Sequence, residues 1–206
     1  MTIEILPGGF EQLERALQTL GREINPSARM AINDSARFAV RVGAKAISDD
    51  LNLNKRYITG GPTPRLGVSR YAKVEDLEAT VTGRDRPTSL ARFTKAAPRF
   101  GRQATSPTVR VNRAGGNQKV RGSFFVRLRS GKERSADNYN VGLAVRLKPG
   151  DTISGKNRMA KAGKNGFYLL YGPSVGQAYR SQARKTAPQI TAHLGNQMAR
   201  QLNRAL

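Results

Sequence analysis

The stretch "SFFVRLRS", residues 123–130, sets Phe125, Arg127 and Arg129 in alternation with Phe124, Val126 and Leu128. Successive side chains of a strand point to opposite faces, so this spacing predicts an extended segment with one dry face and one wet one. On either side lie other short apolar segments broken by Gly, Pro, Asn and Asp. Strands are expected at Leu77–Thr82 and within 108–112, 122–131, 140–150 and 166–175. Together they predict an antiparallel sheet in the middle of the chain.

The flanks have a different period. Phe10, Leu13, Leu17, Leu20 and Ile24 recur at steps of three and four, which predicts an amphipathic helix closed by Asn25-Pro26. A second helix is expected over about Ser27–Ser48, with Pro26 near its start and a small-residue face of Ala31, Ser35, Phe38, Ala39, Val42 and Ala46. Arg29, Arg37, Arg41 and Lys45 stand at multiples of four on the same helix, a stripe that reads either as a solvated face or as a surface for phosphates or a partner. Near the other end, Pro188 marks the first turn of a helix whose seam is Ile190, Leu194, Met198 and Leu202. Arg200 and Arg204 place positive charge at its C-terminal end, where the helix dipole favours it.

The expected fold class is therefore α+β, with an antiparallel sheet packed against N-terminal and C-terminal amphipathic helices and long basic loops. A chain of 206 residues accommodates one such domain. It is read as a single domain 1–206, with a helical N-terminal segment (1–50), a strand-rich core (51–175) and a terminal helix (176–206).

Charge narrows the partners. The chain has 36 Lys and Arg against 14 Asp and Glu, a balance of +22 that attracts nucleic acid, anionic lipid or acidic protein surfaces. Residues 84–134 hold fourteen Lys or Arg against only Asp85 and Glu133. The segments "NRAGGNQKVRG" (112–122), "GKERSADN" (131–138) and "DTISGKNRMAKAGKNG" (151–166) read as long hairpin loops or as segments that order on assembly. No stretch approaches the roughly 18 to 20 apolar residues needed to cross a bilayer, and the N-terminus carries glutamates where a signal peptide needs positive charge. The expectation is a protein used inside a cell or carried in a particle, without a membrane partner.

The inventory for catalysis is thin. There is no cysteine, which excludes disulfides, thiolate metal sites and thiol nucleophiles. The single histidine, His193, sits in the last helix without an evident acid, nucleophile or second ligand, and reads as a surface or packing residue. Asp49-Asp50 and Glu75-Asp76 are neighbouring carboxylates suited to caps and solvation. "GDTISGKN" (150–157) has the glycine and lysine spacing of a phosphate-binding loop, but Asn157 stands where Ser or Thr would hold magnesium, and "RMAKAGKNG" follows in place of an apolar helix. No catalytic residue, metal, cofactor or small-molecule substrate is expected. Zinc-finger, KH and RNP patterns are absent too, so nucleic-acid binding would rest on phosphate contacts with little sequence preference.

Several features together resemble the minor tail protein Z family of tailed bacteriophages and prophages, the tail completion proteins. They are the amphipathic first helix, "ARMAINDSARFAVRVGAKAI" (28–47), "LNLNKRYI" (51–58), "LEATVTGRDRPTSLARF" (77–93), a basic strand-rich middle, "GFYLLYGPSVGQAY" (166–179) and the terminal helix. The resemblance covers nearly the whole chain, and its most specific segments are "GRDRPTSLARF" and "YGPSVGQ". It implies a non-catalytic virion protein of the tail or neck, present in the host cytoplasm during assembly. Such a protein joins tail to head or tail terminator as a ring or small homo-oligomer. The implied neighbours are the tail terminator, tail tube or head–tail connector.

Within "GRDRPTSLARF", Asp85 can pair with the flanking arginines, Pro87 stiffens the backbone, and Leu90 and Phe93 can return to apolar packing. Arg84, Arg86, Arg92, Phe93, Tyr171, Gly172 and Pro173 are the candidate subunit or partner docking residues, although the arginines can equally serve only to tie the loop down. Arg37, Arg41, Lys45, Arg121, Lys156 and Arg158 are the candidate contacts for duplex DNA. The alternative reading is a ribonucleoprotein component or general nucleic-acid-binding protein with basic loops that order on RNA.

Overall fold

Helix α1 spans Asn25–Asp50 and takes Pro26 into its first turn, where a missing N–H costs nothing because the first four helical N–H groups have no intrahelical acceptor. In the computed structural model, residues 24–94, 98–100, 106–128, 140–146, 158–162 and 167–205 are described. The expected helix from Phe10 lies outside them, except for Ile24. After α1 come α2 (Lys55–Thr59), β1 (Leu66–Arg70), β2 (Thr80–Gly83), β3 (Thr88–Ser89) and a 3-10 turn at Leu90–Phe93. Then follow β4 (Thr108–Val109), β5 (Gln118–Lys119), β6 (Ser123–Leu128), β7 (Asn140–Arg146), β8 (Arg158–Ala162), β9 (Phe167–Gly172) and α3 (Val175–Ala205). The class is α+β, with antiparallel pairing in every sheet.

The chain divides into two compact units. One joins Met1–Ser48, Asn54–Asp85 and Val175–Leu206; the other joins Asp49–Leu53 and Arg86–Ser174. Residues 54–85, expected within the strand-rich core, thus group with the helices.

In the first unit α1 and α3 run antiparallel. Ala28 and Ala31 share an apolar cluster with Met198, Ser35 and Phe38 meet His193, and Gly43 meets Tyr179. The buried face of α1 is Ala28, Ala31, Ser35, Ala39, Gly43 and Ile47 with Ala36 and Ala44, while Phe38, Val42 and Ala46 are only half-buried. The expected small-residue face is therefore turned toward Gly43 and Ile47. Glycine there lets the Tyr179 ring close in, since a Cβ at Gly43 would stand 2.5 Å from Tyr179 Cε2. Helix α3 begins thirteen residues before Pro188, so the proline is interior rather than in the first turn. Val175, Ala178 and Tyr179 are buried on the extra turns and continue the seam that Ile190 and Met198 carry further on. Tertiary burial outweighs the local penalty of proline. Hairpin β1–β2 completes the unit, with Val68 opposite Val81 and a register irregularity before Arg70. The sequence reading did not mark β1.

The second unit holds the main sheet, ordered β3-β9-β7-β6, with β8 also paired to β9. Phe125 stands in register with Leu143, and Leu143 with Leu170; all three are buried. Gly172, two residues on from Leu170, meets Phe93 and Leu90 of the 3-10 turn. Phe125 thus lies on a buried face although Arg127 shares its parity and is exposed, and Phe124, Val126 and Leu128 are half-buried. The expected assignment of a dry and a wet face is corrected: Val126 and Leu128 pack around Gly142 with Leu169, so both faces of β6 take apolar contacts. Arg129 lies outside the described residues. Two segments expected as loops contain strands, because each finds a pairing edge: β5 against β4, and β8 along the length of β9.

Candidate functional site

The stretch 83–93 is built from close backbone approaches. Strand β2 ends at Gly83, where the Arg84 N–H donates to the Arg65 carbonyl at 2.7 Å and the Arg84 carbonyl accepts from the Gly176 N–H at 3.0 Å. That second bond satisfies one of the free N–H groups in the first turn of α3. A Cβ on Gly176 would stand 2.5 Å from Asp85 Oδ1 and 2.7 Å from the Gly83 carbonyl oxygen, so only glycine fits. The Asp85 carboxylate lies over the positive end of the α3 dipole and pairs with Arg180 at 2.8 Å. Its ion pair thus runs one helical turn into α3, to a partner that the sequence pattern does not announce. With both side chains partly in water, the pair is worth about 0 to 1 kcal/mol and serves mainly to orient the loop.

Beyond Asp85, Thr88 and Ser89 pair with Gly172 and Tyr171. The Ser89 hydroxyl donates to the Val141 carbonyl at 3.2 Å and accepts from the Ala91 N–H, capping the 3-10 turn. Thr88, Leu90 and Phe93 are buried, and Phe93 is fully enclosed. Leu90 and Phe93 return to apolar packing as expected, and Phe93 is corrected from a docking residue to a core residue. Tyr171, Gly172 and Pro173 are half-buried, while Arg84, Arg86 and Arg92 are exposed. Arg84 belongs to the first unit and the other two arginines to the second.

Positive charge is displayed at two further places. On the first unit, Arg29, Arg37, Arg41 and Lys45 are all exposed along α1. Arg37 is engaged within the unit, bonded to Asp34 at 2.8 Å with its guanidinium 5.5 Å from the Tyr71 ring centre. Asn33 fixes the backbone beside that ring, since its side-chain amide donates to the Ala72 carbonyl and its oxygen accepts from the Ala72 N–H. A cleft of about 330 Å³ next to it is lined by Arg29, Met30, Asn33, Asp34, Arg37 and Gln201. Arg70 is held by Asp76 and Glu78, and its hydrogen bond to Asp76, followed by the pull of both carboxylates, raises its pKa further above the ordinary arginine value. On the second unit the β4–β5 hairpin exposes Arg113, Lys119 and Arg121. Of the expected DNA contacts, Lys156 lies outside the described residues, and Arg158 is described only by its backbone, paired with Tyr171 in β8. The candidate contacts are distributed over both units.

His193 packs as expected from its isolation, stacked on Phe38 with ring centres 4.0 Å apart and sharing a 3.2 Å hydrogen bond between Nδ1 and the Ser35 hydroxyl. Among the described residues no group of three or more His, Cys, Asp or Glu is placed to hold a metal ion. No helix among them is long and apolar enough to cross a membrane. The sequence reading missed Arg180, Asn33 and Tyr71. The one signal for the first was the pair of glycines, Gly83 and Gly176, that let α3 approach β2. Comparison with protein-family models, curated proteins and solved structures found no match in any of the three.

Proposed function

We propose that this chain is a structural protein of a tailed bacteriophage particle, a tail completion or neck component without catalytic activity. It would assemble as a ring or small homo-oligomer between the tail and the head or tail terminator, and its surplus of positive charge would contact the DNA end. The observation that carries the reading is the meeting of the two segments on which the resemblance rests most specifically. Residues 88–93 and 171–172, far apart in sequence, pair through β3 and β9 and close over Phe93, while Gly83 and Gly176 approach each other at the start of α3. Such segments build a packed scaffold instead of a reaction centre, with Arg86 and Arg92 exposed beside it for a neighbouring subunit.

A second reading is supported by the burial of Thr88, Leu90 and Phe93 inside the chain, which leaves charged side chains as the surface offered to partners. It is a general nucleic-acid-binding protein or ribonucleoprotein component. Quantitative mass spectrometry across a density gradient of lysed producer cells separates the two. A small fixed copy number banding with tailed particles is the expected result. Recovery with ribosomes or free RNA, and absence from particles, would replace the first reading with the second.

A further inference from the structure

Residues 106–122 form a ribbon tied down at its base. Thr108 pairs with Lys119 and Val109 with Gln118, and the buried Val109 also bridges to Thr94. The Arg110 N–H donates to the Phe93 carbonyl at 3.0 Å, the Asn52 N–H to Val111 at 2.8 Å and the Arg113 N–H to Asp50 at 2.8 Å. At the other arm, the Gly122 N–H donates to the Ser106 hydroxyl at 3.0 Å, and the positive φ of Gly122, 70°, turns the chain into β6. All of these contacts lie within the second unit. Every residue from Asn112 to Lys119 is exposed, with Asn112 bridged to Leu51 and Ala114–Asn117 lying beyond the tied positions, and the ribbon itself contains neither a carboxylate nor an aromatic ring. It sits in the most basic region of the chain, where nineteen Lys and Arg accompany three acids between Arg86 and Ser174.

We propose that this ribbon enters the major groove of duplex DNA, with Arg113, Lys119 and Arg121 on the phosphates and the amides of Asn117 and Gln118 toward the base edges. The inference rests on the DNA-contacting role within the function proposed above and assigns that contact to one element. Three physical arguments select the ligand. A two-stranded ribbon fits a groove about 12 Å wide. Without a ring the ribbon offers no stacking platform, which single strands need. The major groove of duplex RNA is too deep and narrow to admit it. Because its base is already hydrogen-bonded, docking orders little new chain.

The test is fluorescence anisotropy of the full chain on a labelled DNA duplex, its single strand and the matching RNA duplex, between about 50 and 200 mM salt. The duplex DNA should bind tightest. The variant R113Q/K119Q/R121Q should lose at least about tenfold in affinity, with a log–log salt slope shallower by roughly 2 to 3. R37Q/R41Q/K45Q on α1, which removes the same charge, should lose clearly less than the ribbon variant and leave the salt slope steeper, because it takes away long-range attraction without the ribbon's phosphate contacts. Thermal melting checks that each variant is folded. As a charge-independent readout, Asn117→Cys in this cysteine-free chain can carry a photocrosslinker and should label duplex DNA. Ribbon variants that bind like the parent, a preference for the single strand or RNA, or a loss confined to the α1 variant would each overturn the assignment. Absence of any DNA binding by the parent chain would overturn it too, while the copy number in particles decides the virion reading separately.

Discussion

Tyr179 shows how one side chain can tie stability to pH. Its ring fills the space left by Gly43, and burial raises its pKa above the ordinary 10.0 by penalising the phenolate. The folded state therefore keeps the proton longer than the unfolded chain. Its contribution is fully present below pH 10 and is lost as pH rises through the higher folded value. Melting followed from about pH 8 to above 10 should fall more steeply for the parent than for Tyr179→Phe, which cannot ionise; equal slopes would mean the hydroxyl reaches water. Glycines of the same helix carry opposite expectations. Gly176→Ala forces a methyl against Asp85 and the Gly83 carbonyl and should cost about 1 to 3 kcal/mol. Gly195→Ala meets open space within α3 and should gain roughly 0.5 to 1 kcal/mol, both read by denaturant melts.

At the scale of the element, α3 is the informative case. Its sequence carries a proline that by local rules opens a helix, yet the helix runs through it. Pro188 has no N–H to give the Arg184 carbonyl, and its ring crowds the preceding turn. Thr186 turns its hydroxyl to the carbonyls of Gln182 and Ala183 one turn earlier. Because Pro188 is exposed, Pro188→Ala should restore the backbone bond without disturbing packing and stabilise the first unit by about 1 to 3 kcal/mol. A destabilised variant would indicate that the helix is adapted to the missing bond. The strands teach a related lesson. Period-two patterning located β6, β7 and β9, each long enough to show alternation, and the short β4 falls within the expected strand at 108–112, while β3 and β5 have two residues each and exist through their partners.

For the whole molecule, the charge of +22 works against the compact state. Like charges repel more strongly in the fold than in the expanded chain, and added salt screens them. The melting temperature should therefore rise between about 10 and 150 mM sodium chloride, where the Debye length falls from about 30 to 8 Å. A fall would show that attractive pairs such as Asp85–Arg180 and Arg70–Asp76 outweigh the repulsion. The same surplus explains why the candidate site was only partly legible. A run of arginines in sequence reports attraction to anions but not which side chains are already engaged. Arg37 is bonded to Asp34, whereas the outer part of the ribbon reads as a loop because nothing in "NRAGGNQKVRG" announces the Arg113–Asp50 bond or the pairing of Gln118 and Lys119 with β4.

What the amino-acid sequence by itself determined was the class and the larger elements: α1, the C-terminal half of α3, and strands β6, β7 and β9, each declared by a period that its own residues carry. It also determined the surplus of positive charge and the return of Leu90 to the core. The tertiary structure alone decided which face of each element is covered, that Phe93 is core and not surface, that Asp85 reaches Arg180, and that β5 and β8 are strands. The physical reason is common to all of these. Periodicity is a property of neighbours along the chain, but burial, ion pairing and ladder bonds belong to partners distant in sequence, and only folding brings those within reach.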